Sequence, residues 1–434
     1  MLAESAFTAA LGYIAGFNWD KAFRVFWFFL IFDFPRYVIT KTYIFFYEVI
    51  NAFRSRNWEK PFLLKLNKRP PLVSVIVPVL NEQDTVAWTV RSLKEQSYKN
   101  LQIIVVDDGS TDRTPEICYK LKREEGISYF RFEERAGKSA ALNYGLKFAT
   151  GEYVVFIDSD TTFDRNAIFN LIKVFADPKV GAVSGNLLPR NRKKNLLTAL
   201  QCIEYLFTIS IGRRIRANFG ILPVVSGAFG GFRREIISLE TIGGHEPGPG
   251  NDSDITIRVR KLGYKIAFAP DAICLTNVPE TLYGLIRQRW RWDRNLIKNR
   301  LRKHKDVFNP FSKNFKLLDV MSFVDSLFFH VVLAALTVVY VIDIALNYPE
   351  LLPFILLVNY FIYFLAEAIE LLIAVILSRR WAYFLLFLYV PLFNLYKLMM
   401  KFFRLVGYCQ EMFTWHSYRD TFAPLKVRQK MIRW

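Results

Sequence analysis

Cysteine is scarce in this chain and unpaired in spacing. Cys118, Cys202, Cys274 and Cys409 are scattered through 434 residues, with neither a disulfide framework nor a zinc pattern among them. Histidine is equally thin: His245, His304, His330 and His416 stand far apart. Metal chemistry here must therefore be carboxylate chemistry, and the cysteine usage suits a reducing compartment. The N-terminus lacks a basic n-region followed by a small-residue cleavage site, so a cleaved signal peptide is not expected. Acidic residues are in deficit, 39 against 58 Lys and Arg, which leaves a net charge of +19. No nucleic-acid reader motif accompanies that excess, so nucleic acid is not an expected partner. Positive flanks of membrane helices, with anionic nucleotide and lipid partners, account for the charge better.

What the chain has in plenty is apolar and aromatic surface. Hydrophobic residues make up 52% and aromatics 16%, including 40 Phe and 21 Tyr, which points to contact with a lipid bilayer. Residues 22–53 are long enough to cross about 30 Å of hydrocarbon once, as a tilted or kinked helix. Asp33 and Arg36, at i and i+3, are placed to neutralise each other within it. A basic, Pro-bounded flank follows, with Arg54, Arg56, Lys60, Lys65, Lys68, Arg69, Pro70 and Pro71. Further on, residues 317–346 and 351–377 read as spans. Residues 381–408, interrupted by Pro391, Asn394, Lys397, Lys401 and Arg404, span, re-enter or lie along the interface. A basic tail with Lys426, Arg428, Lys430 and Arg433 prefers the cytoplasmic side. The expected division is a membrane segment and linker over 1–70, a catalytic domain over 71–280, an amphipathic helix and linker over 281–316, and a membrane region with tail over 317–434.

The middle of the chain has a different character. Short apolar runs at 73–77, 103–106, 128–132 and 153–157 alternate with helical patterns such as 84–96 and 114–125. Alternation of that kind predicts an α/β domain with a parallel sheet and right-handed crossovers. The run Tyr153-Val154-Val155-Phe156-Ile157 reads as a strand buried on both faces. Asp158 and Asp160 follow at its carboxyl end, where such sheets bind ligands. Residues i and i+2 of an extended chain point the same way, so both carboxylates can address one hard divalent ion. Two acids capping a turn would look the same.

Similar ambiguities attend the other motifs. Asn81 and Glu82 end the first strand, as a ligand grip or as a loop with a helix cap. Asp107-Asp108-Gly109-Ser110 closes the second, where carboxylates can accept from base and ribose donors; Ser110 or Thr111 as a helix cap is the plainer reading. Arg135-Ala136-Gly137-Lys138-Ser139 lacks the earlier glycine of a P-loop, which excludes that ATPase motif. Lys138 at a helix start can still meet a diphosphate, or simply be solvated. In Gly250-Asn251-Asp252-Ser253-Asp254, Asp254 fits a helix N-cap and leaves Asp252 free for proton abstraction. Gln288, Arg291 and Trp292 share one helix face, suited to a diphosphate and a sugar ring or to a membrane interface.

In this order and at these separations, the stretches resemble the membrane-embedded, processive branch of glycosyltransferase family 2, which includes cellulose, hyaluronan, chitin-oligosaccharide and poly-N-acetylglucosamine synthases. The similarity covers residues 72–301. It implies a cytosolic GT-A (Rossmann-like) domain with flanking transmembrane helices in the plasma membrane. It implies that Asp107 or Asp108 and Lys138 help hold a UDP-sugar, and that Asp158 and Asp160 bind UDP through Mg²⁺ or Mn²⁺. Asp252 would be the general base. Gln288, Arg291 and Trp292 would contact the diphosphate and the acceptor, with 225–229 lining the acceptor site. The implied activity is inverting β-transfer from UDP-N-acetylglucosamine, or UDP-glucose, onto a growing polysaccharide, with an accessory export subunit as a further partner. Addition of a single sugar to a membrane lipid is the alternative. Asn251 stands where the family usually has Glu, and Asp293-Arg294-Asn295 where it often has small residues.

Overall fold

The computed structural model describes residues 18–53, 59–238 and 250–419, with 8, 11–13, 15–16, 242–243 and 424. Arg54 and Arg56 of the basic flank, His245, the Gly248-Pro249 turn and the tail residues Lys426, Arg428, Lys430 and Arg433 lie outside the described residues. The chain divides into two compact units, residues 1–54 with 324–406 and residues 55–323 with 407–434.

The second unit is built on a twisted sheet of eight strands among the described residues: β1 (Val73–Val79), β2 (Leu101–Asp107), β3 (Ser128–Arg131), β4 (Tyr153–Ile157), β5 (Thr162–Phe163), β6 (Val180–Pro189), β7 (Phe229–Arg233) and β8 (Lys265–Thr276). Their order is β3-β2-β1-β4-β7-β6-β8-β5. β1 and β4 are buried along their whole length, which is why they read as unbroken apolar runs. The helices used below are α1 (Val86–Lys94), α2 (Thr114–Glu125), α3 (Lys138–Phe148), α4 (Leu196–Tyr205), α5 (Asn251–Lys261) and α6 (Leu282–Ile297).

The expected parallel sheet holds for β1 with β2 and β4, and for β2 with β3. It fails beyond β4. There β7 runs antiparallel to both β4 and β6, and β5 antiparallel to β8. β7 is hard to read from sequence because it carries the run Phe229-Gly230-Gly231-Phe232. Adjacent glycines signal a turn, yet here they admit close cover: a Cβ on Gly230 would lie 2.7 Å from Val225 and one on Gly231 3.0 Å from Leu171. The whole is a mixed, Rossmann-type α/β sheet. Successive strands go one way from β1 to β2 and β3 and the other way to β4, so β1 and β4 flank the switch point where such folds open a ligand crevice.

The first unit is helical, with Trp19–Phe28, two π-helical turns at Phe29–Asp33 and Pro35–Ile39, Thr40–Phe53, Leu333–Asn347 and Leu352–Ser378. Among the described residues two helices are long and apolar enough to cross a membrane, Leu352–Ser378 and Trp381–Thr414. The latter takes in the segment whose reading was open. Pro35 follows the first π turn, where its missing N–H and ring disturb regular α-helical bonding. The expected Asp33–Arg36 pair does not form. Asp33 accepts instead from the Tyr363 hydroxyl, and the Arg36 guanidinium lies 4.2 Å from the Phe329 ring centroid. Lys41 pairs with Glu370 and Lys397 with Glu367, both carboxylates being buried. Charges inside an apolar bundle are stable only when paired in this way.

Candidate active site

The loops after β1 and β2 are zipped together. Asn81, in the left-handed region at φ 55°, donates its backbone N–H to Ser110 Oγ at 3.0 Å and accepts from the Thr111 N–H at 2.9 Å. Glu82 donates its N–H to Thr114 Oγ1 at 2.7 Å. Asp107 is fully buried and turns inward, accepting from the Ser110 N–H at 2.8 Å and the Tyr129 hydroxyl at 2.9 Å. Asp108 accepts from the N–H groups of Ala136 at 2.7 Å and Gly137 at 2.8 Å. Burial raises its carboxyl above the ordinary value, against these bonds and the Arg135 charge. Both carboxylates are thus engaged by protein donors, and Asp108 fixes the loop that delivers Lys138. Neither Ser110 nor Thr111 caps a helix, because α2 begins only at Thr114.

Lys138 opens α3 and pairs with Asp158 at the end of β4. Burial pulls its ammonium down, but Asp158, then Asp252 and Asp160, outweigh it and hold the pKa above the ordinary lysine value. Asp160 is pushed up to about 6, first by burial and then by the charges of Asp158 and Glu82. Glu82 is itself raised, by burial and by Asp158 and Asp112, while bonds to Thr85 and Ser159 oppose the rise. Here the structure adds a residue. Glu82, noted in sequence as part of a loop, belongs to the same acidic group as Asp158 and Asp160.

Asp252 faces this group from the other side. α5 starts at Asn251 after Gly250 at φ 95°, four residues earlier than expected. Asp252 therefore sits in the first helical turn, accepting from the Ser253 N–H at 3.0 Å. Its pKa is raised by burial and by Asp158, against the pull of Lys138. Gly227 lies between the two. A Cβ there would be 3.5 Å from Lys138 Nζ and 3.6 Å from Asp252 Cβ, so the missing side chain keeps space open beside both. The 225–229 loop is tied to α5, since the Val225 N–H donates to Thr256 Oγ1 at 2.9 Å. Thr256 Oγ1 in turn donates to the Asp252 carbonyl at 2.6 Å. Arg213, not singled out in sequence, donates to Ser184 Oγ at 2.8 Å. Burial lowers its pKa to about 10 despite the nearby Asp252 charge.

Asp254 is not the helix cap the sequence predicts. It is buried, accepting from His304 Nε2 at 2.7 Å and pairing with Lys303 at 3.0 Å and Arg258 at 3.3 Å. His304 Nδ1 faces Lys261 Nζ at 2.9 Å, so the ring must accept there and donate from Nε2, which fixes a neutral tautomer. Asn299 Nδ2 donates to the Gly250 carbonyl at 2.8 Å and to Ser253 Oγ at 2.5 Å. Asn299, Lys303 and His304 all follow α6, so the continuation of that helix holds the turn bearing Asp252.

α6 carries Gln288, Arg291 and Trp292 as expected. Thr281 caps it, its hydroxyl accepting from the Gly284 N–H at 3.2 Å. Trp292 is exposed, with the Arg289 guanidinium 4.4 Å from its ring centroid. Gln288 Oε1 is buried and accepts no hydrogen bond. The helix is anchored by the neighbouring arginine, Arg289, whose buried guanidinium pairs with Glu204 of α4 at 2.8 Å. The Gln-x-x-Arg-Trp spacing hides that role because Arg289 occupies one of its two unspecified positions.

Among the described residues no three His, Cys, Asp or Glu side chains form a ready-made metal centre. The donor set nevertheless fits a hard divalent ion. Asp158, Asp160 and Glu82 offer oxygen ligands whose mutual repulsion a cation relieves, and such ions commonly take one or two carboxylates and complete their shell with phosphate and water.

Residues 74–239 match the family described as Glycosyl transferase family 2. Poly-beta-1,6-N-acetyl-D-glucosamine synthase of Staphylococcus aureus (strain MSSA476) is 34% identical over 236 residues, covering 52% of this chain and 57% of that protein. The synthase of the same name from Staphylococcus epidermidis is 35% identical over 241 residues, covering 54% and 58%. The chain thus spans under two thirds of the length of these curated relatives. Among solved structures, mannosyltransferase PcManGT from Pyrobaculum calidifontis, in complex with GDP-Man and Mn²⁺, aligns at 23% identity with a TM-score of 0.52, over 87% of this chain and 96% of that one. That likeness bears on the fold. The family resemblance read from the motifs is borne out.

Proposed function

We propose that this chain, which carries a glycosyltransferase family 2 domain over residues 74–239, is an inverting β-glycosyltransferase that extends a polysaccharide from a UDP-sugar at the membrane. The observation that carries the reading is the convergence of Lys138, Asp158, Asp160 and Asp252 beside the bare backbone of Gly227. UDP-N-acetylglucosamine is the favoured donor, because the two curated relatives are named for a polymer of that sugar. UDP-glucose is the next candidate.

In this reading Asp158 and Asp160, with Glu82 beside them, would hold Mg²⁺ or Mn²⁺. Such an ion would supply positive charge to stabilise the departing UDP. Lys138 adds a second positive charge on the same side. Asp252 accepts the proton of the acceptor hydroxyl as that oxygen attacks the anomeric carbon. Attack from the face opposite UDP turns an α-linked donor into a β-linked product. Its raised pKa suits Asp252 to this task, since a carboxylate made more basic by burial is a stronger proton acceptor. Asp107 and Asp108 act through the loops they brace. Gln288 and Arg291 serve the diphosphate side and Trp292 offers a flat platform to the acceptor sugar. In this reading the protein lies in the plasma membrane with the sheet unit in the cytoplasm, a reading that the two long apolar helices support. The growing chain, the bilayer and an accessory export subunit complete the partners.

The test is a panel of radiolabelled UDP-sugars given to membranes containing the protein, read by product size and glycosidase digestion. A long polymer made from one UDP-sugar and cut by a matching β-glycosidase is expected. A single labelled glycolipid band would replace the reading with one-step lipid glycosylation.

A further inference from the structure

The carboxylates of Asp158 and Asp160 emerge from a short loop between β4 and β5 whose peptide groups are held by two side chains from elsewhere in the fold. Thr89, in the middle of α1, is buried. Its hydroxyl lies 2.7 Å from the Ser159 carbonyl and 2.8 Å from the Thr161 carbonyl. Arg190, just past the end of β6, reaches the loop from the other side. Its Nη2 lies 3.1 Å from the Asp160 carbonyl, 3.0 Å from Thr162 Oγ1 and 2.9 Å from the Leu275 carbonyl. Three consecutive carbonyls, those of residues 159, 160 and 161, are thereby contacted, with the single Thr89 hydroxyl hydrogen shared between 159 and 161. The Thr161 hydroxyl closes the turn by donating to the Asp158 carbonyl at 2.7 Å.

This arrangement is costly for an arginine whose only task is packing. Arg190 Nε is buried with no hydrogen-bond partner, and no carboxylate among the described residues lies within ion-pairing distance of its guanidinium. Its other contacts are a weak one to Asn277 at 3.5 Å and its own backbone N–H to the Thr276 carbonyl at 2.8 Å. A planar fork that spends its donors on carbonyls at the junction of β5, β6 and β8 orients peptide planes. In a run as short as Asp158-Ser159-Asp160 the peptide planes decide where the side chains point. Thr89 and Arg190 are therefore suited to aim both carboxylates at one point.

We propose that Thr89 and Arg190 are positioning residues for the divalent-ion and diphosphate grip of Asp158 and Asp160. The inference rests on the reading of those carboxylates given above. Outer-shell partners that orient metal ligands are worth about 10- to 100-fold in metal affinity. They leave metal-independent binding of the nucleotide largely untouched.

The test uses purified full-length protein and two titrations: Mn²⁺ binding in the presence of UDP, followed by the electron paramagnetic resonance signal of free Mn²⁺, and UDP binding in EDTA. Thr89→Val is nearly isosteric and removes one hydroxyl. Arg190→Met removes the fork, and Arg190→Lys restores charge with one donor nitrogen. Asp160→Asn serves as the control for the underlying site. The expected result is Mn²⁺ affinity weakened about tenfold in Thr89→Val and Arg190→Met. Arg190→Lys should recover part of the loss, with UDP binding in EDTA unchanged in all three. If Asp160→Asn weakens Mn²⁺ binding while Thr89→Val and Arg190→Met do not, the positioning role is refuted and the site stands. Equal losses of UDP binding in EDTA and of Mn²⁺ binding, with no recovery in Arg190→Lys, refute it as well, by showing a general structural role. If Asp160→Asn itself binds Mn²⁺ normally, the reading of the site falls and takes the inference with it.

Discussion

Replacing Asp254 with asparagine removes the carboxylate on which the turn bearing Asp252 depends. Asp254 is 2% exposed in its side chain and gathers three cationic or donor groups, His304 at 2.7 Å, Lys303 at 3.0 Å and Arg258 at 3.3 Å. Breaking a buried ion pair by removing one partner costs about 3–5 kcal/mol. Asparagine keeps an acceptor for His304, so the lower figure, about 3 kcal/mol, applies. For a unit of this size that loss lowers the melting temperature by about 6–10 °C. The pH dependence has a definite sign. Burial opposes ionisation of Asp254, but the His304 bond, Lys303 and Arg258 outweigh it and hold the carboxyl well below its ordinary value. Its contribution is therefore complete above an unfolded value of 3.8 and is lost only as pH falls toward the folded one. Burial holds His304 below 6.5, and Lys261 and Lys303 add to this against Asp254. The fold resists protonating that ring, so the His304 contribution to stability should decline as pH drops below 6.5, relative to a variant lacking the ring. In His304→Gln that decline should be absent. The assay is thermal unfolding in detergent, followed by tryptophan fluorescence between pH 5 and pH 8. An Asp254→Asn protein melting within about 1 °C of wild type at neutral pH would refute the reasoning, since no buried pair of this kind breaks so cheaply.

Other perturbations give separable outcomes. Gly227→Val fills the space beside Lys138 and Asp252 and should cut kcat/KM by about 10²-fold while melting near wild type, as steady-state kinetics and a melting curve would show. Lys138→Met removes the charge that lowers the Asp252 pKa. Its rate should fall about 10²- to 10³-fold, and the acid limb of its pH–rate profile should move to higher pH. In the helical unit, Glu367→Ala strands Lys397, and about 3 kcal/mol of stability should be lost, seen as a lower melting temperature in detergent with kinetics of the surviving folded protein little changed.

Much of the sheet and site was readable because it is local. The buried runs at β1, β2 and β4 and the helix Thr114–Glu125 follow from apolar periodicity and caps. Asp158 and Asp160 could be placed at the end of a buried strand, although Ser159 and Asp160 lie in a turn and not in an extended run, and Lys138 could be placed at a helix start. What escaped depends on long-range placement. Glu82 joins the acidic group because β1 and β4 are neighbours in the sheet, a fact no local pattern encodes. β7 hides behind two glycines whose value lies in the close cover they permit. Asp254 looks like a cap until the helix is seen to start at Asn251, under the grip of Asn299. Arg289 and Arg291 are two residues apart in one basic run, and only packing against Glu204 tells the anchor from the exposed face. Arg190 and Thr89 carry no motif at all, since their partners are backbone carbonyls 30 to 85 positions away.

The account stands most directly on Asp252 as the proton acceptor. Purified wild type and Asp252→Asn, reconstituted in lipid and given radiolabelled UDP-N-acetylglucosamine with Mn²⁺, should bind UDP equally well. Incorporation of sugar should fall about 10³-fold or more in the variant, because the loss lies in the chemical step and not in donor binding. Undiminished incorporation by Asp252→Asn, with UDP binding intact, would contradict the account at its centre.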